Sequence, residues 1–116
     1  MGRKEDKMIK NLTPHTVTVL DEDNNIVKEF ASCGIARAKQ TIVPAGMVDG
    51  VPLVTTTFGE PVDLPEREEG VFLIVSLATA KAAETYGRTT EDLLLTCSPV
   101  RDDAGRIIGC RSLATV

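Results

Sequence analysis

The most unusual local string in the chain is Asn11-Leu12-Thr13-Pro14-His15. An amide, a hydroxyl and an imidazole within five residues could line a small-molecule pocket, and His15 could serve as a general base. The same residues also suit a structural part. Asn and Thr bond nearby backbone ahead of a proline, and His15 would then cap a strand edge. A second position is Ser76, where an apolar run gives way to an alanine-rich one. A helix N-terminus there would offer free N–H groups and a positive dipole end to an anion, or Ser76 would simply cap the helix. Its surroundings, Ile74-Val75-Ser76-Leu77-Ala78, form neither a glycine-rich phosphate loop nor a G-x-S-x-G elbow. The third position is Arg88 with Asp92. The guanidinium fork can grip a phosphate or carboxylate while Asp92 orients it or bonds a ribose hydroxyl; alternatively, Thr89-x-x-Asp92 is a capping box beside a surface ion pair. Asn11, Thr13, His15, Ser76, Arg88 and Asp92 make up the candidate ligand-binding set. A Cys–His dyad is formally available from His15 with Cys33 or Cys110, but nothing in the local sequence supports one. No catalytic residue is therefore assigned and no enzymatic activity is expected, a small hydrolase using His15 being the last-ranked reading.

The totals narrow the function classes further. Hydrophobic residues make up 42% of the 116, enough for one aliphatic core without staples. Aromatic residues are 3% and the formal net charge is −4, so base-stacking platforms are scarce and the basic surplus of a nucleic-acid binder is missing. Three cysteines, Cys33, Cys97 and Cys110, stand far apart, an odd count that fits a reducing cytoplasm rather than a disulfide scaffold. With His15 as the one histidine, no metal site of the usual Cys/His kind is expected, nor any cofactor. No apolar run reaches the length of a membrane span. The opening MGRKEDK is too polar for a signal peptide, and residues 1–7 are expected to be disordered, with residues 8–116 forming a single domain.

The elements that must position the candidates read as follows. Thr16 to Leu20 alternates as a half-buried strand, Asp21 to Asn25 is a turn, and Ile26 to Ala31 returns as the second arm of a hairpin. Ile35 to Val43 alternates as a strand, with a helix possible in its first half. Asp49-Gly50 between Met47-Val48 and Val51-Pro52-Leu53-Val54 is the strongest hairpin signal in the chain. Thr55 to Phe58 extends that strand, Gly59-Glu60-Pro61 punctuates, and Val62 to Gly70 is an acidic, proline-bounded loop. Val71 to Val75 is a buried strand, Leu77 to Tyr86 an alanine-rich helix closed by Gly87, and Leu93 to Cys97 a returning strand, a βαβ-like unit. The last hairpin joins Ser98–Arg101 to Arg106–Leu113. A symmetric turn would set Cys97 opposite Cys110 as a reduced, core-facing pair, whereas a bulge at Gly105 would separate them. The fold expected is α+β: a strongly bent, mainly antiparallel sheet or small barrel-like domain with one short helix at about residues 77–86.

The Asn11-Leu12-Thr13-Pro14-His15 string, the Val48-to-Val54 hairpin, Gly59-Glu60 and Leu64-Pro65 together resemble a group of small proteins encoded by phages and prophages. So do Ile74-Val75-Ser76, Arg88 before Asp92-Leu93-Leu94, and Arg101-Asp102 with Gly105-Arg106-Ile107-Ile108. The resemblance runs over most of Met8 to Leu113, and the stretch from Ala31 to Gln40 falls outside it. What it implies is a phage accessory setting, in which several unrelated small proteins are oligomeric sponges for the nucleotide signals of bacterial immunity. By that analogy the chain is expected to be a cytoplasmic homo-oligomer that sequesters a small anionic ligand such as a nucleotide. The alternative is a module that contacts a host protein through the acidic surface from Glu60 to Glu69.

Overall fold

The computed structural model describes residues 7–116; of the expected disordered segment, residues 1–6 lie outside the described residues. Eight strands and one helix follow in the order β1 (Met8–Asn11), β2 (Val17–Leu20), β3 (Ile26–Phe30), β4 (Arg37–Val48), β5 (Val51–Val62), β6 (Val71–Ile74), α1 (Leu77–Thr85), β7 (Leu93–Arg101) and β8 (Ile107–Thr115). The protein is thus mostly β with one short helix. Six strands form one mixed sheet in the order β1-β6-β7-β8-β2-β3, and β4 and β5 pair separately as a two-stranded ribbon.

The expectation of a mainly antiparallel sheet needs correction for this six-stranded body. The β1–β6, β6–β7 and β2–β8 pairings are parallel. The long antiparallel ladders are those of β7–β8 and of the separate ribbon. Parallel neighbours require crossover connections. For β6 and β7 that crossover is α1, so the βαβ-like unit is a parallel one, with Leu73 opposite Leu93 and Ile74 opposite Leu94. For β1 and β6 the crossover is everything between them in the chain. The two outer strands also approach each other: Asn11, at the end of β1, bridges to Ser32, just beyond β3.

The helix is short but well terminated. Ser76 accepts a hydrogen bond from the Thr79 N–H at 3.2 Å. At the other end, Gly87 takes φ +82°, which a glycine adopts without steric penalty. Its N–H reaches the Glu84 carbonyl while the Arg88 N–H reaches that of Ala83, a Schellman closure. The alanines let the helix lie close to the sheet. Ala80 and Ala83 pack with Leu12, Ala36, Leu73, Val75 and Leu93 in one core cluster. The opposite face of β6 carries Ile74 into a second cluster with Val17 and Cys110. The alternation along β6 therefore feeds two cores, as a strand covered on both faces requires.

The ribbon departs from this scheme. Asp49 and Gly50 take φ values of +54° and +77°, the positive pair that a tight two-residue hairpin demands. From there the two strands run back for twelve residues each. Their bases touch α1, with Ala36 buried just ahead of β4 and Arg37 paired to Asp63 at 3.2 Å. Beyond that base, none of the described residues covers the ribbon. Cross-strand register puts Ile42, Val54, Met47 and Phe58 on one face and Val43, Leu53, Val48 and Val51 on the other, and all eight are exposed. The radius of gyration, 17.2 Å, reflects this extension; a compact chain of this length would have about 13 Å.

The last hairpin corrects the cysteine expectation. Cys97 stands opposite Ser112 and Pro99 opposite Cys110, because the turn closes Asp102 on Arg106 with Gly105 at φ +85° and the register shifts again between Val100 and Arg101. Cys97 is exposed and Cys110 buried, and all three cysteines are free thiols. The two therefore do not form a core-facing pair. The Cys110 thiol instead lies 3.6 Å from the Thr18 carbonyl oxygen, beside the β2–β8 contact. The turn itself is built by Asp102, whose carboxylate accepts from the Ala104 and Arg106 N–H groups at 2.9 Å each. Asp21 does the same in the β2–β3 turn, accepting from Asp23 at 2.8 Å and Asn25 at 2.9 Å. There Asn24 takes the left-handed position, φ +65°.

Candidate functional site

Asn11 is wholly buried at the end of β1, and every polar valence of its side chain is used. Its Nδ2 donates to the His15 carbonyl at 2.7 Å and the Phe30 carbonyl at 2.9 Å. Its Oδ1 accepts from the Thr13 N–H at 2.9 Å and the Thr13 hydroxyl at 2.6 Å. An amide has two donors and two acceptor lone pairs, so none remains for a ligand. The Asn11 backbone carbonyl also accepts from Cys33 N–H at 2.9 Å. Asn11 and Thr13 thus form a clamp that folds residues 11–16 into a tight loop and fastens β1 to the end of β3. Pro14 and His15 stay exposed, and His15 lines a groove.

Arg88 and Asp92 form a bidentate pair, Nη1 to Oδ1 at 2.9 Å and Nη2 to Oδ2 at 3.0 Å. The sequence allowed a surface pair; this one is buried, with side-chain exposures of 15% and 3%. The remaining Arg88 donors are also engaged. Nε and Nη2 donate to the Pro65 carbonyl at 3.1 and 2.6 Å, and Nη1 to the Thr89 carbonyl at 2.6 Å. All five N–H groups of the guanidinium therefore have partners within the chain. The capping-box alternative does not form either, since no helix follows Thr89; its hydroxyl accepts from the Glu91 N–H at 3.3 Å. What the pair does is staple the acidic loop, through Pro65, to the start of β7.

Ser76 caps α1, and its hydroxyl lies 2.9 Å from that of Thr79. Thr79 is wholly buried and donates to the Ala36 carbonyl at 3.2 Å, tying the helix to the foot of the ribbon. Thr79 is a structural residue that the sequence does not advertise, because a threonine inside an alanine-rich helix shows no partner in the linear order. Ser76 follows the C-terminal end of β6, whereas the Asp92 carbonyl accepts from Leu73 N–H, three residues earlier along that strand. The candidates thus fall into three places: Asn11, Thr13 and His15 together, Arg88 with Asp92, and Ser76 at its cap.

Two concavities accompany them. The larger, about 510 Å³, is lined by His15, Thr16, Val17 and Thr18 from β2 and its approach, and by Thr96, Cys97, Pro99 and residues Ile107 to Cys110 from the last hairpin. Its size and its apolar floor with a few hydroxyls are those of small-molecule sites. The smaller, about 270 Å³, lies under the acidic loop, between Lys10, Leu12, Cys33, Pro65, Glu66, Glu68 and Asp92. Gly109 lets the larger groove exist in its present form: a Cβ there would stand 2.8 Å from the Thr18 carbonyl oxygen and 3.0 Å from the Leu20 side chain. Of the residues lining the larger groove, only His15 belongs to the candidate set; Thr16, Thr18 and Thr96 gave no signal in the sequence because threonines are ordinary in strands, and the Thr18 hydroxyl donates to the Glu29 carboxylate at 3.3 Å.

Among the described residues no group of three or more His, Cys, Asp or Glu side chains is placed to hold a metal ion. No helix there is long and apolar enough to cross a membrane. One carboxyl is clearly perturbed: hydrogen bonding from the Asn25 backbone N–H holds Asp21 below the usual carboxylate value of 3.8, with help from Asp23 and from nearby Arg111. It belongs to a turn, not to either groove. No protein family, curated protein or solved structure matches this chain.

Proposed function

We propose that this chain is a non-enzymatic binding protein that captures a small anionic ligand such as a nucleotide. It would act as a homo-oligomeric phage accessory protein in the host cytoplasm, by analogy with sponges for immune signals. The observation that carries the reading is the groove of about 510 Å³ with His15 on its rim. Its volume suits a nucleotide-sized molecule, its apolar lining residues Val17, Pro99 and Ile108 suit a flat ring, and the hydroxyls of Thr16 and Thr96 suit polar edges. The saturated side chains of Asn11 and Arg88 move the proposed contact away from those two residues and toward His15. We also infer that the six-stranded sheet curls toward a small barrel, a reading supported by the Asn11–Ser32 bridge between its outer strands.

The test is a thermal-shift and calorimetric screen of linear and cyclic nucleotides on the full chain, repeated on Ile108→Trp and His15→Ala. Binding that is abolished when Trp fills the groove and weakened about tenfold without His15 supports the assignment. Wild-type affinity in both variants, or no binding across the screen, refutes it.

A second reading has its own observation. Arg88 holds the acidic loop in place through Pro65, and Glu66, Glu68 and Glu69 stay exposed on it. A fixed, exposed acidic ridge suits contact with a basic protein surface. Reversing those three charges abolishes capture of a host protein if this reading holds, and leaves nucleotide binding untouched.

A further inference from the structure

We infer that the β4–β5 ribbon is the contact surface for a second copy of this chain, packed through its faces. This deepens the homo-oligomeric half of the function proposed above and does not depend on the ligand half.

The first ground is composition. Between Thr41 and Phe58 the ribbon holds a single charged residue, Asp49 at its tip, in a chain that is 26% charged. The eight large apolar side chains on its two faces are between 42 and 66% exposed. Together they leave on the order of 800 Å² of apolar surface in water, divided between the two faces, so the area that each partner contributes to a standard interface is reached when both faces are covered. The total accessible area agrees: it is 8064 Å², where a folded monomer of this mass would show about 6,200 Å².

The second ground is stability. A two-stranded ribbon standing alone is marginal in water, and its exposed sides invite association. A ribbon with both faces apolar needs cover from the moment the chain folds. The partner that is present at that moment, in equal amount and without charge to be matched, is another copy. An acidic or basic partner would find no complementary charge on this surface beyond Asp49.

The third ground sets the geometry. Pro44 on β4 and Pro52 on β5 have no N–H to donate, which blunts edge-to-edge extension of the ribbon into a longer sheet. Contact through the faces, which closes, is left, rather than contact through the edges, which propagates.

The experiment is native mass spectrometry and sedimentation equilibrium on the full chain, beside two variants that make one face polar at a time. These are Ile42→Ser/Val54→Ser/Phe58→Ser and Val43→Ser/Val51→Ser/Leu53→Ser. None of these six side chains is buried in the body, so far-UV circular dichroism is expected to match the wild type. The wild type is expected to be a defined oligomer, and at least one variant to dissociate more than tenfold more readily. A wild type that stays monomeric at about 100 µM, or two variants that assemble as the wild type does, overturns the inference. An intact assembly that takes up no nucleotide defeats the ligand reading alone, and a monomer that binds nucleotide defeats this one alone.

Discussion

Arg88→Ala separates the two parts this arginine could play, and its effect follows from the structure. In the native protein the guanidinium is 15% exposed and Asp92 is almost wholly covered. Removing Arg88 leaves a carboxylate buried without a counter-ion and strips the Pro65 carbonyl of both its side-chain donors. Breaking a buried, hydrogen-bonded pair from one side typically costs about 3–5 kcal/mol. Against the roughly 5–15 kcal/mol that holds a domain of this size together, that is a large fraction. It corresponds to a fall in midpoint of roughly 12–20 °C if each kcal/mol shifts Tm by about 4 °C. Urea unfolding followed by circular dichroism measures it directly. The paired variant Arg88→Met/Asp92→Leu removes both charges and is expected to recover most of the loss, because no unpaired charge is then left behind. If Arg88→Ala loses less than about 1 kcal/mol, a range usual for exposed pairs, the stapling role is refuted. The arginine would then be free for a ligand after all.

Four further outcomes follow from the same geometry. Asn11→Ala removes the side-chain donor from the Phe30 carbonyl and the acceptor from the Thr13 N–H, while the His15 carbonyl keeps the Thr13 hydroxyl, and should cost about 3 kcal/mol in denaturant melts. Gly109→Ala forces a methyl against the Thr18 carbonyl oxygen and should cost about 1–3 kcal/mol while reshaping the groove. Because Asp21 is held below its ordinary value, its contribution is present above pH 3.8 and fades as the pH falls through the lower folded-state value; in Asp21→Asn, stability should decline less steeply between about pH 5 and about pH 2. A thiol reagent should label Cys33 and Cys97 rapidly in the native protein and Cys110 only on unfolding, as read by mass spectrometry of timed aliquots.

Much of the secondary structure is legible in the sequence because its signals are local. Asp49-Gly50 marks its hairpin, Ser76 and Gly87 bracket the helix, and Asp21 and Asp102 announce turns through side chains that reach their own backbone. Strand order is not local. Nothing in Met8–Asn11 says that it lies parallel to a strand some sixty residues later, or that Val19 pairs with Cys110. The apolar residues Ile42, Val43, Val51 and Val54 mark strands of a hairpin in the linear sequence, which says nothing of what lies against them. In the folded chain those residues are exposed, since a hydrophobic pattern marks strand and face but does not fix what packs on that face.

The candidate residues teach a related distinction. Asn11, Thr13, Arg88 and Asp92 attract notice because polar side chains with several donors and acceptors stand out beside apolar strands, and such residues are what ligands need. They are equally what a loop needs when it must be pinned without a ladder of its own. Counting donors decides between the two. A side chain with every valence spent inside the chain, as in Asn11 and Arg88, can meet a ligand only by breaking what it holds. His15 differs: the motif's hydrogen bonds use its backbone carbonyl, and the residue is exposed where it lines the larger groove. The clamp formed by Asn11 and Thr13 therefore acts on any ligand indirectly, by fixing where the backbone of residue 15 sits. On that logic a substitution at Asn11 should loosen binding and fold together, whereas one at His15 should change binding with the fold intact. The ratio of the two effects measures how far this motif serves the fold and how far the site.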